Sequence, residues 1–190
     1  MTDKSFLFFA INFVIMNNEE RPNDLIIAID EQFGAALAMM KEVICKCPEH
    51  IWNEKSHGPP FWHISYHALY FLDLYLCFTT EERESFQPYF RNVSHRVGNT
   101  PKIPLEPHQV KEYLEKCSKK ARKYFSRLEI QDLYRPSVFE WHGTNILSSL
   151  IYNLRHLMLH IGTLNYRLLR ADVALDNWVS EKKNAFEDIN

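Results

Sequence analysis

Two pairs of histidines in this chain are spaced to share one face of a helix. His63 and His67 stand four residues apart, and so do His156 and His160. Side chains at i and i+4 lie one above the other on an α-helix, so two imidazoles can reach a common point without distorting the backbone. Nitrogens gathered at such a point bind a divalent metal ion. A third ligand from a facing helix would complete a centre with open positions, which is how catalytic rather than structural zinc is held. One pair alone is weak evidence, because i, i+4 histidines also occur as ordinary surface or core residues. Two pairs on two amphipathic segments carry more.

The later pair sits in polar company. Ser149, Tyr152 or Asn153, His156, His160, Thr163 and Arg167 follow at helical steps, a polar stripe beside a leucine-rich one. Burying such groups without partners costs about 1–3 kcal/mol each, so an inward-facing stripe needs a metal or an internal wet cleft. Other chemistries find no support. His156 is followed by Leu157, where the zincin pattern needs Glu. The di-iron bundles place Glu-x-x-His on each of two helices, which this chain does not. Its five glycines are scattered singly, with no phosphate-cradling loop and no Gly-x-Ser-x-Gly elbow.

These side chains need elements to hold them, and four segments have helical periodicity. The first covers residues 24–45, with Leu25, Ile29, Phe33, Ala36, Met40 and Ile44 three or four apart, Asn23 or Asp24 as N-cap and Pro48 beyond the end. The second covers about 61–78, behind Pro59 and Pro60, which are tolerated at a helix mouth. Residues 79–107 form a long polar connection containing Pro88, Pro101, Pro104 and Pro107; connections of that length are often functional or cover a site. The third helix follows Pro107 to about Leu128, with Val110, Tyr113, Leu114, Cys117, Ala121, Tyr124, Phe125 and Leu128 as its buried stripe. The fourth is capped by Thr144 or Asn145 and runs to about Arg170, burying Leu147, Leu150, Ile151, Leu154, Leu157, Ile161, Leu164 and Leu168. A further short helix is expected over 176–186. Four such helices predict an all-α fold, a four-helix bundle in which each buries its stripe against the others.

At 190 residues the chain is read as a single domain over 1–190, with its core at about 24–170. A formal net charge of −2 argues against a nucleic-acid partner. The basic run on the third helix, from Lys111 to Arg127, is interleaved with Glu112 and Glu115 and reads as a solvated face. Cys45, Cys47, Cys77 and Cys117 lack zinc-site spacing and read as free thiols of a reducing, cytoplasmic compartment. The apolar run over residues 6–16 is shorter than the roughly 20 residues a membrane span needs. No small-residue cleavage site follows it, so it is expected to pack on the bundle or on a second subunit, with no membrane partner.

Two stretches carry a resemblance to a known family. Gly58-Pro-Pro-Phe-Trp-His-Ile-Ser-Tyr-His-Ala-Leu-Tyr-Phe-Leu-Asp-Leu-Tyr-Leu76 resembles the second-helix signature of the DinB-like superfamily. Asn153-Leu-Arg-His-Leu-Met-Leu-His-Ile-Gly-Thr-Leu-Asn165 resembles the helix that carries its histidine pair. The resemblance spans about residues 24–170, and the first and third helices carry no matching motif. It implies a four-helix bundle with a long crossover between helices 2 and 3. It also implies a metal triad of His67, His156 and His160, with His63 a neighbour one turn away, and nickel or zinc as the ion. It further implies a homodimer, for which the apolar run over 6–16 also asks.

The function expected from this resemblance is a metal-dependent transferase or hydrolase, acting on a small-molecule substrate with a low-molecular-weight thiol. Asp73, Tyr152 and Asn153, with Tyr70, are candidates to orient ligands or move protons, and Arg155 and Arg167 to hold a substrate carboxylate. The alternative is a non-catalytic metal-binding, stress-response or interaction protein with a structural or vestigial site. Coordination separates the two: a fourth protein ligand, His63 above all, would favour the structural role.

Overall fold

The computed structural model describes residues 23–175 and 179–180 of the chain. The fold is all-α: among the described residues no β-strand forms, only an isolated antiparallel bridge between Pro136 and Asn145. Four long helices carry it. They are α1 (Asp24–Lys46), α3 (Phe61–Tyr75), α5 (Pro107–Ser126) and α6 (Ile146–Arg170), with one-turn helices α2 (Glu49–Trp52) and α4 (Thr80–Glu84) between them. Two 3-10 turns, Ile130–Tyr134 and Glu140–His142, link α5 to α6.

The helix ends follow from local chemistry. Pro107 opens α5 behind a capping box, in which Glu106 and Gln109 exchange side-chain and backbone hydrogen bonds. Asn145 caps α6 by accepting the Ser148 amide at 2.9 Å. Asn23 precedes α1 but makes no side-chain cap bond. The second helix is shorter than its sequence pattern suggests: it ends at Tyr75, and Leu76 and Cys77 stay buried in the turn beyond it. Thr79 then caps α4 by accepting the Glu82 amide.

Packing joins α3 to both α6 and α5, and α1 to the same two helices, so the four contacts close a ring. Its centre is filled by Phe33, Leu37, Met40, Trp62, Tyr66 and Leu157, all essentially inaccessible. Each such side chain contributes roughly 1.5–3 kcal/mol on burial. The expected stripe of α5 is buried throughout. On the other stripes Ile29, Leu147 and Leu154 are half-buried, and two expected core positions are exposed: Leu25 on α1 and Ile151 on α6 face outward, the latter 56% exposed. Both lie at the edge of their stripes, where a 3.6-residue period does not decide which side a neighbour covers.

The connection between α3 and α5 is anchored rather than free. Trp52 Nε1 donates to the Leu105 carbonyl at 2.8 Å, and Tyr89 stacks on Tyr113 with ring centroids 4.8 Å apart. After α6 the chain turns back along α1, where Lys46 donates to the Ala174 carbonyl and Gln32 to that of Ser180. The apolar run over 6–16 lies outside the described residues. So does the expected helix over 176–186, apart from Val179 and Ser180, which are not helical. Among the described residues no helix is long and apolar enough to cross a membrane. Cys77 and Cys117 are buried free thiols, Cys45 is exposed, and Cys47 lies between these extremes.

Candidate metal centre

The face of α3 that meets α6 brings His67 against the pair on α6. Ring centroids of His67 lie 4.6 Å from His160 and 5.3 Å from His156, and those of His156 and His160 lie 4.6 Å apart. One nitrogen from each of the three rings falls within 4.8 Å of the others. These three residues are the only group of His, Cys, Asp or Glu among the described residues that meets as potential ligands in this way. All three are half-buried.

Hydrogen bonding arranges the donor atoms. His67 Nδ1 lies 2.7 Å from the His95 backbone carbonyl. A carbonyl only accepts, so Nδ1 carries the proton and Nε2 keeps its lone pair. That is the outer-sphere arrangement that orients metal-binding imidazoles. His156 and His160 bring their Nε2 atoms to 3.2 Å from one another. A single proton can bridge these two, whereas one cation can satisfy both lone pairs and that of His67. His156 Nδ1 is buried with no hydrogen-bond partner.

Electrostatics hold the rings neutral. Burial and the neighbouring His67 push His156 down to about 4 from the ordinary 6.5. Burial, His67 and His156 push His160 down to about 3. Burial also lowers His67, against the opposing pull of the His95 carbonyl. Protons therefore do not compete for these nitrogens at neutral pH, a condition for ligation. An all-imidazole donor set suits zinc, nickel, copper or iron, so the residues present fit a divalent ion.

Family models, curated proteins and solved structures offer no match to this chain.

The other residues singled out by sequence fall in different places. His63 is fully buried with both nitrogens engaged, Nδ1 at 3.1 Å from Thr100 Oγ1 and Nε2 at 2.8 Å from the Ser94 carbonyl. It fastens the long connection to α3 and has no nitrogen left for an ion. Asp73 points to α5 and away from the cluster, accepting from Tyr113 Oη at 2.9 Å and from Lys120 Nζ at 2.8 Å. Asn153 is buried, reaches the Leu72 carbonyl through Nδ2 at 3.5 Å, and leaves its Oδ1 unpaired. Tyr152 lies near the cluster, its ring nearly parallel to His156 at 6.4 Å. Tyr70 stacks on His95 at 4.1 Å and so supports the loop that orients His67. Arg155 lies over the Tyr152 ring, and Arg167 is committed to Glu54 and to the Pro59 carbonyl.

Two residues near the centre escape the sequence pattern, His95 and His142. His95 acts on His67 through its backbone carbonyl, which any residue could supply, so that role leaves no signal in the residue type. His142 comes from the 3-10 turn before α6 and packs between Tyr75 at 3.9 Å and Tyr152 at 4.1 Å. It is buried, pushed down to about 4 by that burial, and its Nε2 has no partner. A lone histidine in an irregular segment has no partner spacing to expose it.

Proposed function

We propose that this chain is a metal-binding protein of the DinB-like type, a four-helix bundle with a long crossover between its second and third long helices. In this reading His67, His156 and His160 hold one divalent ion, nickel or zinc. The observation that carries it is the meeting of three imidazole nitrogens within 4.8 Å from two helices far apart in sequence. We read the centre as that of a metal-dependent transferase or hydrolase, acting on a small molecule and using a low-molecular-weight thiol.

An ion on three neutral ligands keeps its full charge and makes a bound water or thiol easier to deprotonate near neutral pH. The chain's own contribution is orientation. The His95 carbonyl sets the tautomer and ring direction of His67. Phe71 packs edge-on against both His67 and His156, at 4.8 and 5.3 Å, and so restricts the rotation of both rings. His63 is engaged elsewhere, so the protein offers three ligands rather than four, and half-exposure leaves the remaining positions reachable. This favours chemistry over a structural site.

Elemental analysis of tag-free protein tests the reading, with wild type beside His67→Ala and His156→Ala. About one equivalent of metal in the wild type, lost from both variants, is the expected result. A wild type that takes up none after reconstitution with zinc, nickel or manganese would sink it and leave the non-catalytic alternative.

A further inference from the structure

The polar stripe of α6 does not stop at the histidines. Thr163 is three residues beyond His160 and Arg167 four beyond that, and both line a cavity of about 650 Å³ between the last turns of α6, helix α2 and the loop that follows it. Residues three apart on a helix have Cβ atoms about 5–6 Å apart, so the cavity wall begins one turn from a candidate metal ligand. Its volume lies in the range of small-molecule sites.

Charge in this cavity is unevenly used. Arg167 is 7% exposed and spends its guanidinium on the wall, donating to the Pro59 carbonyl at 2.6 Å and to the Glu54 backbone and carboxylate at 2.8 and 2.7 Å. Glu54 is thereby neutralised; hydrogen bonds from Ser56 and Arg167 hold its carboxyl down at about 2. Arg170 is different. It lies over the Tyr166 ring at 6.0 Å, and among the described residues it has no carboxylate partner. A cation in the last turn of a helix is ordinary, because it offsets the helix dipole. One that lines a cavity whose single acid is already paired leaves a net positive wall. His50 and His57 add ring nitrogens to the same wall.

We propose that this cavity takes a small organic molecule with a carboxylate seated on Arg170 and its carbon chain laid over Tyr166 and Thr163. A guanidinium grips a carboxylate in a two-pronged, planar fashion that an ammonium cannot copy. None of the three clustered histidines lines the cavity, so carboxylate binding at Arg170 stands independently of the proposed metal centre.

The test is a titration with adipate, followed by amide NMR on metal-free and zinc-treated protein, with 1,6-hexanediol and inorganic phosphate as parallel arms. Adipate is expected to shift resonances of residues 50–57 and 163–171 in both forms, while hexanediol leaves them in place. Arg170→Ala, a change at an exposed position, is expected to weaken adipate binding about tenfold or more, the loss typical of a charged hydrogen-bonding partner, with the rest of the spectrum unchanged. Absence of these shifts, an equal affinity in Arg170→Ala, or phosphate binding as tightly as adipate would overturn the assignment. Adipate binding that depends on Arg170 in a protein that takes up no zinc would remove the metal centre and leave the carboxylate site standing. Zinc uptake without adipate binding would do the reverse.

Discussion

His67 donates from Nδ1 to the main-chain carbonyl of His95 at 2.7 Å, and this one bond links the long connection after α3 to the donor atom facing α6. Because the acceptor is backbone, the loop's path rather than its residue type sets the tautomer of His67. The neutral state of the surrounding imidazoles is a property of the fold, and it has a consequence for stability. An imidazole kept neutral by burial takes up its proton first in the unfolded chain, near 6.5. Between 6.5 and its lowered folded value the unfolded state holds more protons, so stability rises with pH across that window. For His142 and His156 the window reaches down to about 4, and for His160 to about 3. Metal-free protein should therefore be fully stabilised above roughly pH 7 and lose stability steadily towards pH 4. His142→Phe, which keeps a flat ring between Tyr75 and Tyr152, should flatten this slope. Urea denaturation at several pH values reads it, and a stability independent of pH between 7 and 4.5 would contradict the neutral-cluster account.

Metal binding to the folded state alone should stabilise it by mass action. At a free zinc concentration a thousandfold above the dissociation constant the gain is about 4 kcal/mol. In a domain of this size that raises the midpoint of thermal unfolding by roughly 8–16 °C. His156→Ala and His67→Ala should abolish the rise. His63→Ala should lower the starting midpoint, because it breaks the contacts to Thr100 and Ser94, yet keep the zinc-dependent increment. An increment lost equally in His63→Ala would place that residue in the centre after all.

How far the sequence reaches is clear from individual residues. The long helices show in it because Pro107, Asn145 and the leucine period on α6 are local signals. The one-turn helices α2 and α4 do not, since four or five residues are too few to display a period. Spacing alone leaves His63 and His67 equivalent; what separates them is the path of residues 94–100, which engages His63 on both sides and His67 on one. Asp73 stands about two turns beyond His67 in sequence, yet its side chain meets α5, and helical period cannot say which neighbour a polar residue faces. Arg167 is similarly misread as a substrate ligand, because its partner Glu54 lies in a loop without pattern.

Asp73 gives a prediction of its own. Its carboxylate is buried, takes Tyr113 Oη and Lys120 Nζ, and Lys120 also donates to its backbone carbonyl. Removing the carboxylate leaves the buried Tyr113 hydroxyl without its acceptor and the partly buried Lys120 ammonium with only neutral ones, the carbonyl of residue 73 and Cys77 Sγ. Asp73→Ala should cost about 3 kcal/mol, less than a fully buried pair would because Lys120 keeps some solvent contact. Metal content should not change. A loss of bound metal at preserved stability would return Asp73 to the centre and contradict the α5-facing geometry.

The approach to α6 depends on Gly143, which links the 3-10 turn bearing His142 to the Asn145 cap. Its φ of +125° is a conformation that side-chain-bearing residues avoid, and an added Cβ would lie 2.6 Å from Ser148 Cβ in the first turn of α6. Gly58, before α3, has φ +105° but open space around it. The two glycines thus separate backbone strain from collision. Gly58→Ala should cost about 1 kcal/mol through strain alone. Gly143→Ala should cost about 3 kcal/mol, because strain and clash add and the clashing atom sits close to a helix backbone that cannot swing aside. The larger loss should come with a disturbed environment at His142, visible as a shift of its ring resonances, while Gly58→Ala leaves them in place. Equal costs for the two substitutions would mean that the Gly143 turn relaxes, and that the start of α6 is not held by this close approach.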